Sequence, residues 1–358
     1  MAKPIDRIID AHHHLWDLGL NYYPWLKDRI GPRMYGDYAA IRRDYLLDDF
    51  RRDIGDLPVV ASVHVQAEHD HTDPVLETRW LQSVADAPGS GGVPQAIVAF
   101  ADLAAPSEQV ASQLAEHARS PNLRGIRQMV HQCLVPAMNL PTDYLADEQW
   151  RANVGLLARH GLSFDLQTLP PQAEAAARLA AMHPGTEFAL VHAGQPRDQG
   201  AQGLADWKSA MRLMAQAPNV SIKLSGFGMF DVDWTLDSLR PLLLTAIDCF
   251  GPARCMFGSN FPVDKLMRGY RPLWEAYDEL TRSFSDPERA AMFHDTAARV
   301  YRIGLDEGPG STRYQLEGDI TWTTNVVASP LPWPPPGQPP QPPALPASRS
   351  PRHRRPSS

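Results

Sequence analysis

Short runs of apolar residues recur along most of the chain, and segments with helical spacing of apolar residues separate most of them. Parallel strands that are buried on both faces have this character. The runs that predict strands are 7–10, 59–65, 95–100, 123–128, 162–167, 188–191, 220–224 and 254–257. The helical segments are 74–87, 107–119, 143–160, 171–182, 204–217, 235–250, 271–281 and 286–301.

Strands that alternate with helices in this way predict an α/β fold, a closed (β/α)₈ TIM barrel. An open doubly wound sheet is the alternative. Against it, no G-x-G-x-x-G follows the first strand, and no P-loop is present. The aromatic-rich segment 18–53 predicts a long loop after the first strand that covers the barrel mouth. We expect the final helix to pack on the outside.

The composition changes near residue 305, where the chain becomes rich in Gly, Pro and Ser. Such a segment has too few apolar residues to offset the entropy of ordering it. The sequence therefore predicts a barrel over 1–305 and a disordered, Pro-rich tail over 306–358. PxxP patterns in the tail could bind an SH3-like domain, but a solvated tail without a partner is the favoured interpretation.

Charge and cysteine content exclude several classes of protein. The formal net charge of -7 gives no electrostatic reason to bind nucleic acid. Three irregularly spaced cysteines do not make a disulfide framework. There is no secretory signal and no apolar run long enough to span a membrane. We expect a cytoplasmic protein that acts on a small-molecule substrate; the oligomeric state is left open.

Candidate chemistry begins with His12 and His14. Side chains two apart on a strand point the same way, so these imidazoles share a face at the end of the first strand. Two imidazoles at this spacing can bind one divalent metal or polarise one carbonyl group. A cluster of structural histidines is the alternative. His192 ends the sixth strand and is the candidate for a third imidazole.

Several motifs together resemble the lactonase branch of the amidohydrolase superfamily, which includes sugar lactonases and 2-pyrone-4,6-dicarboxylate hydrolases. They are IIDAHHHLWDL, NYYPWL, VHVQAEHD, RGIRQ, FDLQ, VHAG, IKLSG and FGSNFPVD, in this order over roughly residues 5–303. The resemblance implies a TIM-barrel hydrolase of carbohydrate metabolism with His12, His14 and His192 in the active site.

Polar residues that close the other strands are the candidates for substrate binding. Arg127 could hold a carboxylate or a lactone oxygen through paired hydrogen bonds, although an ion pair within the barrel is the alternative. The others could orient substrate hydroxyl groups or serve as caps and structural groups; they are Gln66, Asp165, Gln167 and Lys223.

Asn260 is where the chain departs from the family pattern. Many superfamily members carry an aspartate after the eighth strand that accepts a proton from the attacking water. A neutral amide cannot act as that base, although it can orient a water or a substrate group. Asp264 lies four residues further on and is the candidate replacement, with a surface carboxylate as the alternative.

The resemblance leaves the metal open. We expect no required cofactor, with one divalent metal, zinc held by His12, His14 and His192, as the close alternative. A two-metal site is not expected, because Arg127 or Gln128 and Gln167 occupy the positions where two-metal relatives carry ligands.

The predicted activity is opening of a lactone or related cyclic ester by water, with the histidines assisting. The alternatives are a metal-dependent, non-oxidative decarboxylase of the same superfamily and a non-catalytic barrel that binds sugar acids. A product assay for carbon dioxide or acid separates the two enzymes.

Overall fold

Eight parallel strands form the centre of the computed structural model, which describes residues 5–28, 35–131 and 142–304. They are β1 (Ile8–His13), β2 (Val59–Val65), β3 (Ala96–Ala99), β4 (Leu123–Ile126), β5 (Ser163–Leu166), β6 (Phe188–Leu190), β7 (Val220–Leu224) and β8 (Cys255–Phe257). Each strand pairs with the next in sequence order. The predicted (β/α)₈ barrel is therefore confirmed.

The barrel closes where β1 meets the segment after β8. The backbone N–H of His14 donates to the carbonyl oxygen of Phe261 at 2.7 Å, and that of Asn260 donates to the carbonyl oxygen of His12 at 2.7 Å. The hydrogen bonds that close the barrel therefore involve the backbone of His12 and His14. They place the residues that follow β8 beside the histidine motif.

Helices surround the strands. They are α1 (Pro24–Lys27), α2 (Leu47–Ile54), α3 (Val75–Asp86), α4 (Ser107–His117), α5 (Glu148–Val154), α6 (Leu156–Arg159), α7 (Ala173–Met182), α8 (Ala201–Met214), α9 (Leu236–Phe250), α10 (Tyr270–Leu280), α11 (Asp286–Ala290) and α12 (Thr296–Tyr301). The helix predicted over 143–160 begins only at α5, where Asp147 caps it by accepting from the N–H of Trp150, and it breaks at Gly155.

Two layers of apolar side chains make the core. The larger lies between strands and helices and includes Trp150, Phe164 and Trp274. The smaller contains residues of the barrel strands together with Val300 and Tyr301 of α12. The final helix, which we expected to pack on the outside, thus also contributes the apolar and aromatic side chains of its last turn to the cluster of the strands.

Two expectations concern segments that the structure describes only in part or not at all. The long loop after β1 contains α1 and α2, and part of it, 29–34, lies outside the described residues. The predicted tail, 306–358, and its boundary also lie outside them and remain predictions.

Candidate active site

Three imidazoles from distant parts of the chain meet at one place. The ring centroid of His12 lies 5.1 Å from that of His14 and 4.5 Å from that of His192. All three side chains are buried. The first strand extends to His13 rather than ending at Asp10. His12 therefore lies within β1, and His14 directly follows its last residue.

His192 is held in a strained loop after β6. Its φ is 54°, in the left-handed region that side chains other than glycine seldom adopt. Its Nδ1 lies 3.1 Å from the hydroxyl oxygen of Ser225, just after β7. A Cβ on Gly226 would lie 2.5 Å from the same nitrogen, so glycine is required for the ring to lie there. Ser225 and Gly226 belong to the IKLSG motif, but nothing in the sequence alone indicates that they position His192.

Hydrogen bonding fixes the tautomer of His14. Its Nδ1 lies 2.6 Å from the carbonyl oxygen of Val65, which can only accept. The hydrogen is therefore on Nδ1, and in the neutral ring Nε2 carries a lone pair. Burial, followed by the charge of Arg127, holds the pKa of His14 well below its ordinary value, so the neutral form is the relevant one.

His12 has the least satisfied side chain of the three. Neither ring nitrogen has a hydrogen-bond partner, although the residue is fully buried. Burial, followed by the neighbouring His192, lowers its pKa well below the ordinary value. Because buried polar groups almost always have partners, the two free nitrogens of His12 indicate that something binds beside them.

Arg127 and the residues after β2 form a second polar group. The guanidinium of Arg127 donates through Nη2 to the backbone carbonyl of Gln66 and through Nη1 to Oε1 of Gln167 at 3.4 Å. The amide of Gln66 is itself engaged, since it donates to Oε1 of Glu68 at 2.6 Å and accepts from the N–H of Glu68 at 2.7 Å. One N–H of the Gln66 amide is therefore used within the protein, and the predicted hydrogen bond from Gln66 to substrate, which the second N–H could make, stays a prediction.

Asp165 and Lys223, two of the predicted substrate-binding residues, form an ion pair with each other. Lys223 Nζ lies 2.6 Å from Oδ2 of Asp165, and the hydroxyl of Tyr301 donates to Oδ1 at 2.8 Å. Both charged side chains are fully buried. Because a buried charge needs a partner, the two residues neutralise each other inside the barrel.

Asn260 and Asp264 are joined directly. Asn260 has a φ of 56°, which asparagine tolerates better than most residues, and its side-chain amide donates to Oδ1 of Asp264 at 2.8 Å. Asp264 is buried rather than on the surface. Burial raises the pKa of Asp264 to about 7, against the hydrogen bond from Asn260, so the carboxyl group exchanges its proton near neutrality.

Asp10 fastens β1 to the segment after β8. Its Oδ1 accepts from the backbone N–H groups of Ser259 at 2.8 Å and His12 at 3.1 Å, and its Oδ2 accepts from the hydroxyl of Tyr270 at 3.0 Å. These bonds fix the backbone that carries His12 and Asn260. Asp10 is therefore a structural anchor of the site.

A divalent metal fits this site by its donor atoms. Metal-binding histidines commonly donate their second N–H to a backbone carbonyl, as His14 does to Val65. The free nitrogens of His12 are the kind of donor that an ion takes up. Within residues 5–28, 35–131 and 142–304, however, no three His, Cys, Asp or Glu side chains are already arranged around one ion position.

Comparison with known proteins decides the family. A family model described as Amidohydrolase matches residues 9–303. The chain belongs to the amidohydrolase family. The predicted relationship to the lactonase branch of this superfamily is confirmed, and with it the expectation of a hydrolase that acts on ester bonds.

Relatives of this amidohydrolase match it over most of their own length. The uncharacterized protein y4mH of Sinorhizobium fredii is 44% identical over 306 residues, 83% of this chain and 98% of that protein. An L-fucono-1,5-lactonase of Burkholderia multivorans is 30% identical over 82% of this chain and 96% of its own. A crystal structure of a Burkholderia multivorans amidohydrolase with bound zinc has a TM-score of 0.69 and 29% identity, covering 83% of this chain and 99% of that one.

None of the helices in the described ranges of this amidohydrolase combines the length and the apolar character that crossing a membrane requires.

Proposed function

We propose that this amidohydrolase opens a sugar lactone or a related cyclic ester by attack of water on the ring carbonyl. The observation that carries the proposal is His12, which is fully buried, has two nitrogens without partners and lies against His14 and His192. The L-fucono-1,5-lactonase relative supports a lactone as the substrate class.

His12 and His192 are the proposed donors to the carbonyl oxygen. A neutral imidazole can donate one N–H, and donors aimed at an oxygen that becomes negative stabilise the tetrahedral intermediate. His14 is excluded from this role, because its only N–H is spent on Val65. Of the three imidazoles, only His12 and His192 are therefore proposed to polarise the carbonyl group. His14 Nε2 is an acceptor.

Asp264 is the proposed acceptor of the proton from water. Because the pKa of Asp264 is about 7, a large fraction of the protein molecules carry an ionised Asp264 at neutral pH. This carboxylate can accept a proton from water, and the carboxyl group that results is stable near the same pH. Asp165, at the end of β5, is another carboxylate that could take this proton, but its two oxygens are occupied by Lys223 and Tyr301.

His12, His14 and His192 are also the residues that would hold a divalent metal. A bound metal would supply Lewis-acid polarisation of the carbonyl and a lower pKa for a water molecule. In that case the hydrogen bond from His14 to Val65 and the contact of His192 with Ser225 orient the two rings.

A pH-indicator screen over sugar lactones and pyrone carboxylates, run with and without a chelator, tests the proposal. We expect acid release from at least one lactone, and its loss in the His12→Ala variant. Activity that survives exhaustive chelation assigns the chemistry to the imidazoles, and activity restored only by added zinc assigns it to a metal. Release of carbon dioxide instead of acid, or no turnover across the panel, would overturn the lactonase proposal.

A further inference from the structure

Arg127 is a buried cation whose hydrogen-bonding groups are largely used within the protein. Its side chain is 6% exposed. Nη2 donates to the carbonyl oxygen of Gln66, and Nη1 lies 3.4 Å from Oε1 of Gln167. Nε is buried without a partner, and each of the two Nη nitrogens already donates one hydrogen to a protein oxygen.

Glu68 supplies the negative charge opposite Arg127. Its Oε1 lies 3.9 Å from Nη2 of Arg127 and accepts from the amide of Gln66 at 2.6 Å, while Oε2 lies 3.5 Å from Nε2 of His71. Burial opposes the charge, but bonding to His71 and the charge of Arg127 hold the pKa of Glu68 below its usual value. The group is therefore a carboxylate at neutral pH.

The backbone fixes this carboxylate in place. Glu68 has a φ of 56°, and its N–H donates to the amide oxygen of Gln66 at 2.7 Å. A strained position of this kind persists only where the surroundings determine it. With its side chain 29% exposed, Glu68 still reaches open space beside the buried Arg127.

Two of the cations near the imidazoles are each balanced by a carboxylate. Lys223 is matched by Asp165, and Arg127 by Glu68. A substrate that brought a carboxylate to Arg127 would therefore meet Glu68 as a like charge, and repulsion between the two carboxylates would weaken its binding.

We propose that Glu68 is a specificity-determining residue that selects uncharged, hydroxylated lactones and rejects lactones that carry a carboxylate. Arg127 then meets such a substrate through N–H groups that are not bonded to Gln66 or Gln167, which suit a hydroxyl or ring oxygen, while Glu68 balances its charge. This inference rests on the proposed lactonase function and names the substrate class of the same site.

Pairs of lactones that differ in one group test the proposal. An aldonolactone and the matching aldarolactone differ only in a terminal hydroxymethyl group against a carboxylate. We expect wild-type kcat/KM to favour the aldonolactone by about tenfold or more, which corresponds to about 1.4 kcal/mol. In Glu68→Gln we expect this ratio to fall about tenfold, mainly because the aldarolactone improves.

Glu116→Gln is the matched control. Glu116 is 26% exposed and paired with Arg79 and Arg119 on the helical exterior, so its replacement removes an equivalent charge away from the site. The control should leave the substrate ratio unchanged. A wild-type enzyme that prefers the aldarolactone, or a ratio that Glu68→Gln does not move, would overturn the proposal.

Thermal stabilisation by the same compounds keeps this inference separate from the proposed function. If neither lactone is hydrolysed, the lactonase proposal fails, and stabilisation by the neutral but not the charged compound still supports charge selection by Glu68. Equal stabilisation by both compounds would contradict it.

Discussion

Lys223 Nζ lies 2.6 Å from Oδ2 of Asp165, with both side chains at 0% exposure inside the barrel. Removing one partner leaves an uncompensated buried charge, so we expect Lys223→Met to lower the free energy of unfolding by about 3–5 kcal/mol. Chemical denaturation measures the change. The double variant Lys223→Met/Asp165→Leu should be less destabilised than the sum of its two single variants, and strict additivity would show that the pair does not act as a unit.

His192 carries the most direct prediction for activity. If its N–H stabilises the oxyanion, His192→Ala should lower kcat/KM for a lactone about 100-fold or more. Steady-state kinetics on the best substrate from the screen provides the measurement. His160→Ala, an exposed histidine at the end of α6, is the control and should retain activity. Undiminished turnover by His192→Ala would remove His192 from the mechanism.

Gly226 sets the position of the His192 ring. A methyl group at Gly226, whose φ is +68°, would lie 2.5 Å from His192 Nδ1, so Gly226→Ala should displace the ring and lower kcat/KM about as much as His192→Ala does. Gly161→Ala is the matched control, because Gly161 has a φ of +61° and open space at the Cβ position. Both variants share the backbone strain of about 1–3 kcal/mol, but only the first should lose activity. Equal kinetic effects would assign the loss to strain alone.

Asp264 predicts a pH dependence of activity. Because burial raises the pKa of Asp264 to about 7, a base at this position is protonated below that pH and active above it. We expect kcat/KM, corrected for spontaneous lactone hydrolysis, to rise as the pH passes through about 7. Asp264→Asn should lose most of this activity and the rising limb with it. A variant that keeps the wild-type profile would show that the proton goes elsewhere.

The raised pKa of Asp264 also predicts that the folded protein loses stability as the pH rises, whereas activity increases. The folded protein holds the Asp264 proton up to about pH 7, whereas the unfolded chain releases it near its ordinary pKa of 3.8, so ionisation progressively destabilises the fold between these values. Asp264→Asn removes this cost, and its amide oxygen can still accept from Asn260. We expect the variant to be at least about 1 kcal/mol more stable than wild type at pH 8, with the difference vanishing near pH 4, in denaturant titrations. A less stable variant at pH 8 would contradict the buried carboxylate.

The sequence determined the fold and most of the polar residues at the site. Eight short apolar runs, each long enough for only one strand, recur with helices between them, which is the pattern of a (β/α)₈ barrel, and the lack of G-x-G-x-x-G and P-loop motifs argues against an open sheet. The period of two along a strand is sufficient to predict that His12 and His14 lie on one face. The order of the motifs supplied the family.

Only the tertiary structure decided which of the polar residues remain free to meet a ligand. Nothing in the sequence indicates that Asp165 and Lys223 form a pair. They are 58 positions apart, and only closure of the barrel brings their charges together. The same holds for Val65, whose carbonyl fixes the His14 tautomer, and for Glu68, which neutralises Arg127. Residue types set what each group can donate or accept, but burial and distance settle which partner it has.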